Sequence, residues 1–230
     1  MVSTSDAMQT APHYPYLKRT GLALLALGLI DIAVLIYCIA HRISYSSSFN
    51  IFAVIAGVLL LRGSLRTASA VRWLSAFMGA AFVAMLFVWP LVQPWELTFL
   101  QIRLSPFQSL FTLLIFILMV ALLAWLYHQL GNQAVLDARS AAGRRARDMR
   151  IPAAIGVGMV VLLAAALPML LEGDSGRKAK ELAQQQLGTG YKYHVSSLRI
   201  SKTSQSTSVA AAVTAWNSEE VRTVPVSWQE

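Results

Sequence analysis

One cysteine (Cys38), four histidines and 11 acidic residues in 230 leave little from which to build a metal centre, a disulfide framework or an acid–base pair. A lone thiol cannot close an intrachain disulfide, which excludes a disulfide-stapled domain and leaves Cys38 as a small apolar residue. His13, His41, His128 and His194 lie far apart, and neither H-E-x-x-H nor C-x-x-C spacing occurs. Glycine-rich phosphate loops are absent as well. On these grounds no catalytic, metal-binding or cofactor-binding residue is assigned, no cofactor is expected, and the chain is read as a non-enzyme.

What the chain has in quantity is apolar sequence: 56% of its residues are hydrophobic and only 13% charged, a balance suited to a lipid solvent. Four stretches, 21–40, 73–92, 107–127 and 151–171, run 20 to 21 residues with a single charge between them. About 20 residues at ~1.5 Å rise cross the ~30 Å hydrocarbon layer, so each reads as a transmembrane helix. A fifth stretch, 45–61, is shorter and begins among Ser46, Ser47 and Ser48.

Loop charge favours counting that fifth stretch. With five crossings, ten basic residues of the tail and loops (Lys18, Arg19, Arg62, Arg66, Arg72, Arg139, Arg144, Arg145, Arg147 and Arg150) share one side, and the loops on the other side hold only Arg42 and Arg103. Lysine and arginine accumulate on the cytoplasmic side of short loops. The expected fold is therefore an all-α polytopic bundle of five transmembrane helices, N-terminus cytoplasmic, followed by a small α+β extracytoplasmic domain. Residues 1–20 form a cytoplasmic tail, 21–171 the membrane domain and 172–230 the outer domain, an organisation suited to a bacterial inner membrane. A cleaved leader is disfavoured, because the first apolar core is longer than the ~7–15 residues of a secretory signal.

The formal net charge of +8 would suggest nucleic acid in a soluble protein, but the basic residues cluster at span ends, where topology and anionic lipid account for them. No nucleic-acid partner is expected. The run Arg139, Arg144, Arg145, Arg147 and Arg150 is a candidate contact for anionic lipid headgroups. The segment 93–106, with Pro94, Trp95 and Glu96 followed by Leu100, Ile102 and Leu104, reads as an interfacial hairpin or loop lying on the bilayer.

Beyond residue 172 the composition changes. Asp174 or Ser175 can cap a helix whose Ala179, Leu182, Ala183 and Leu187 follow three-four spacing, and Gly188 stands where a left-handed stop is wanted. Three strand-like runs follow, 191–200, 208–216 and 221–228, the last two joined through Asn217-Ser218. One helix on a three-stranded antiparallel meander is the expected module. At this size it buries only ~60% of its unfolded surface, so support is expected from the 93–106 segment, the bilayer, a second copy or a partner.

Ser175-Gly176-Arg177-Lys178 has the S-x-x-K spacing of penicillin-recognising serine enzymes. The companion S-D-N element is missing and too few residues remain for that catalytic domain, so Ser175 is read as a cap. Asp31 is the one ionisable residue near the middle of a span, where insertion costs roughly 2.5–3.5 kcal/mol and a partner is required. It is read first as interhelical glue. The leading functional expectation is a scaffold or assembly protein whose outer domain meets another membrane or periplasmic protein, or a second copy, through a sheet edge or through Tyr191, Tyr193 and Trp228. A proton-linked or solute carrier using Asp31 is the alternative, and a membrane-embedded enzyme the third reading.

Overall fold

The computed structural model describes residues 12–42, 50–143, 148–202 and 207–229. Eight helices and three strands follow one another among them: α1 (Tyr14–Ala40), α2 (Asn50–Leu61), α3 (Leu65–Val92), α4 (Trp95–Leu104), α5 (Pro106–Gln129), α6 (Gln133–Ala141), α7 (Arg150–Leu171), α8 (Asp174–Leu187), β1 (Lys192–Lys202), β2 (Thr207–Trp216) and β3 (Val221–Gln229). Helices α1, α3, α5 and α7 are long and apolar enough to cross a membrane. The chain is thus mostly helical, with four candidate spans and a small antiparallel sheet, compatible with a membrane protein.

Of the five expected spans, 45–61 is described only in part. Its described part, α2, is 12 residues, about 18 Å of helix against the ~30 Å of a hydrocarbon layer; residues 45–49 lie outside the described residues. The first span also begins early. Residues 14–20 of the expected tail belong to α1, because Pro15 sits in the first turn, where its fixed φ and missing N–H favour a start; residues 1–11 lie outside the described residues.

The described residues divide into two compact units. In the first (Met1–Ala81 with Met119–Gly156), α1 and α2 pack as an antiparallel hairpin. A Cβ on Gly57 would lie 2.8 Å from the Gly21 carbonyl oxygen, so the two backbones touch where neither residue has a side chain. Tyr14 Oη donates to the Leu61 carbonyl at 3.3 Å, which brings the end of α2 back to the level where α1 starts. Leu17, Leu60, Ala68, Leu130 and Val135 bury one another at that end. There Arg72 near the start of α3 lies 5.1 Å from the ring centre of Tyr127, near the end of α5.

The glycines of α7 differ in their surroundings. Gly158 has open space around it, whereas a Cβ on Gly156 would lie 2.3 Å from the Phe77 carbonyl oxygen. Two positions turn a helix by about 200°, so the contact face is the opposite one.

The second unit (Phe82–Leu118 with Val157–Glu230) holds α4, α8 and the sheet. Phe82 and Phe116 meet edge to face at 5.6 Å, joining α3 to α5. The sheet has strand order β1-β2-β3, both pairs antiparallel, as the meander expectation required. Ala179 and Ala183 of α8 press onto Val195, Ala211, Val213, Val224 and Val226, all buried. Alanine on the contact face lets the helix approach closely, and the valines share one sheet face because strand side chains alternate.

Local details differ from the sequence reading in two places. The N-cap of α8 is Gly173 in extended conformation, so Asp174 lies in the first helical turn, where its charge complements the helix dipole, and Ser175 follows inside. Gly188 ends α8 with φ 84° and ψ −175°, a conformation open essentially to glycine alone and distinct from the left-handed helical stop.

Candidate functional site

The β2–β3 turn is built by Asn217. Its side-chain oxygen accepts from the backbone N–H groups of Glu219 and Glu220, both at 2.9 Å, so the connection occupies residues 217–220 rather than the Asn217-Ser218 pair alone. Tyr191 donates its phenolic hydrogen to Glu220, and the Arg222 guanidinium lies 2.9 Å from the same carboxylate. The Tyr191 bond, then Arg222, hold the Glu220 carboxyl below its ordinary value, and the same bond raises the Tyr191 phenol.

Beside this turn lies a cavity of about 600 Å³, lined by Glu96, Phe99 and Arg103 of α4, by Lys192 and Trp216 of the sheet and by Asn217 of the turn. Lys192 donates to Glu96 across it, so the 93–106 segment, one of the supports expected for the small module, contacts the sheet. Trp216 is 6% exposed, and its indole N–H has no hydrogen-bond partner among the described residues. Arg103 makes no ion pair among them either. The cavity lining thus carries one carboxylate, Glu96, and two cations, Lys192 and Arg103, with Phe99 among its apolar residues.

A second, smaller cavity of about 50 Å³ is lined by Pro168, Leu171, Glu172, Lys180 and His194. Burial lowers the His194 pKa, Lys180 lowers it further, and Glu172 opposes both. Among the described residues no group of three or more His, Cys, Asp and Glu side chains is placed to hold a metal ion.

The residues singled out from sequence are scattered. Asp31 is half-buried in α1 and has a hydrogen-bonding or electrostatic partner. Arg139 is 5% exposed at the end of α6, while Arg150 is exposed at the start of α7; Arg144, Arg145 and Arg147 lie outside the described residues. Tyr191, Tyr193 and Trp228 each have an intramolecular task. Tyr191 ties down the turn, Tyr193 donates to the Gly188 carbonyl while packing on the core, and Trp228 packs on the core beneath Lys178 Nζ, 5.5 Å from its ring centre.

Trp216, Lys192 and Arg103 escaped the sequence reading. The one available signal for Trp216 was an aromatic at the end of a strand run, out of phase with Val209, Ala211, Val213 and Ala215, so that it emerges on the face away from α8. The pairing of Lys192 with Glu96 spans 96 residues and has no local signature. The chain matches no family model, no curated protein and no solved structure.

Proposed function

We propose that this chain is a non-enzymatic membrane scaffold or assembly protein that holds a small α+β module on the extracytoplasmic side of a bacterial inner membrane. The observation that carries the reading is the β1 edge. β1 is 11 residues long and, among the described residues, pairs with β2 alone, leaving its outer backbone groups open to a further strand. The opposite edge, β3, contains Pro225, which lacks an N–H, so β1 is the better template. The partner is another membrane or periplasmic protein, or a second copy adding its own strand.

Two observations support five membrane passes and an outward-facing module. Ten loop cations against two give the charge asymmetry of a cytoplasmic N-terminus. The α1–α2 hairpin, closed by Tyr14 and Leu61, returns the chain to its starting level before α3 begins. From there α3, α5 and α7 make three further passes.

Recovery of companions from native membranes in mild detergent tests the proposal. The full chain and the Asp31→Asn variant should bring down the same partner, and a chain lacking residues 172–230 should lose it. A monodisperse species with no companion and no self-association would end the scaffold reading. Loss of function in Asp31→Asn with the truncated chain still active would favour a carrier.

A further inference from the structure

The two halves of β1 have different surroundings. The first half is already engaged: Lys192 donates to Glu96 of α4, and His194 and Val195 line the smaller cavity together with Val92 at the end of α3 and Lys180 of α8. Between Val195 and Ser197 the register with β2 slips, leaving Ser196 as the extra residue of a bulge, a feature that bends a strand and interrupts its ladder. From Ser197 to Lys202 the pairing is regular again, opposite Ala212 to Thr207, and among the described residues β2 is the only strand on this half. The template that the edge offers is therefore 197–202.

Two chemistries alternate along this half. Leu198 and Ile200 stand opposite Ala211 and Val209, buried residues of the face that carries α8, whereas Arg199 stands opposite Ala210 on the other face. Leu198 packs on the core, but Ile200 is 57% exposed at the open end of the row Ile200, Val209 and Trp228. Arg199 is exposed and makes no ion pair among the described residues. The strand as a whole holds three cations and no carboxylate. Two β1 edges laid together would set cations against cations with nothing to neutralise them, and like charges across a strand pair are destabilising. A second copy is thus a poor occupant. A strand with a carboxylate beside Arg199 and apolar residues beside Leu198 and Ile200 suits both faces, because its own side chains alternate with the same period.

We infer that the 197–202 edge receives, by strand addition, an extended segment of a partner protein in which acidic and apolar residues alternate. The inference rests on the proposed role of β1 as a template and narrows the occupant to this one chemistry. Backbone hydrogen bonds hold the segment, and Arg199 selects its charge and register.

The test titrates the purified full chain in mild detergent against three fluorescent hexapeptides and reads anisotropy. One alternates valine with glutamate, the second has lysine in place of glutamate, and the third is the acidic peptide N-methylated along its backbone, which keeps the charge and removes the strand donors. The acidic peptide should bind about tenfold more tightly than the basic one, and N-methylation should abolish binding. Arg199→Ala should weaken the acidic peptide about threefold, the scale of one opposite-charge cross-strand pair, and Arg199→Glu should remove or invert the preference. No binding of the acidic peptide, equal binding of the acidic and basic peptides, undiminished binding after N-methylation, or indifference to Arg199→Glu would overturn the proposal. A disulfide formed between two copies of a Ser201→Cys variant would overturn it too, by seating a second copy on the edge. The scaffold reading fails separately. A companion from native membranes that survives Arg199→Glu but needs residues 172–230 would overturn the inference and keep the scaffold, whereas charge-selective peptide binding with neither companion nor self-association would support the inference and end the scaffold.

Discussion

At the residue scale, two glycines in α7 separate close packing from mere composition. Gly156 has no room for a methyl group and Gly158 has ample room, although both look alike in sequence. Gly156→Ala should lower stability by about 1–3 kcal/mol, the usual cost of overpacking, while Gly158→Ala should be neutral or slightly stabilising. Thermal unfolding of the two variants in one detergent checks the difference. His194 gives a pH dependence at the same scale. Its folded pKa lies below the ordinary 6.5, so the unfolded chain binds a proton that the folded chain refuses in the window just below that value. Stability of the C-terminal module should therefore fall as pH drops through 6.5. His194→Gln should flatten that slope, and Lys180→Gln should move the His194 titration upward, as read by NMR.

At the element scale, the C-terminal module rests on a few valines and alanines between α8 and the sheet. Val213, fully buried at the centre of β2 and paired with both Val195 and Val224, is the position where a cavity has least chance to collapse. Val213→Ala should cost about 2 kcal/mol, a large fraction of the stability of so small a unit. Limited proteolysis should then cut within 174–229 while the helices before it stay intact. This module was the most legible part of the sequence. Alternation in the three runs and three-four spacing before them are local signals, and the elements formed where those signals lay. The turn and the helix cap differed by a residue or two, because Asn217 binds two successive N–H groups and Gly173 supplies the extended geometry that Asp174 was expected to adopt. The cavity beside the β2–β3 turn was illegible for a different reason: Glu96 and Lys192 meet only because α4 and β1 are brought together in space.

At the scale of the whole molecule, the parity of membrane passes decides on which side the module works. An export-dependent phosphatase fused after Glu230 should be active and a cytosol-dependent reporter at the same point inactive, matching the odd count proposed above. The reverse pattern would mean that the 45–61 segment enters the bilayer without crossing it. Sequence by itself determined that the chain belongs with membranes, since long apolar runs and the placement of arginine depend on transfer free energies that act residue by residue. It also determined the helix-plus-meander module, whose periodicities are local. Only the tertiary structure decided which glycines bring backbones into contact, that Tyr191, Tyr193 and Trp228 serve the module's own packing, and that Arg103 and Trp216 line one cavity. Those facts depend on which distant segments meet, and a periodicity read along one segment carries no information about its neighbour in space.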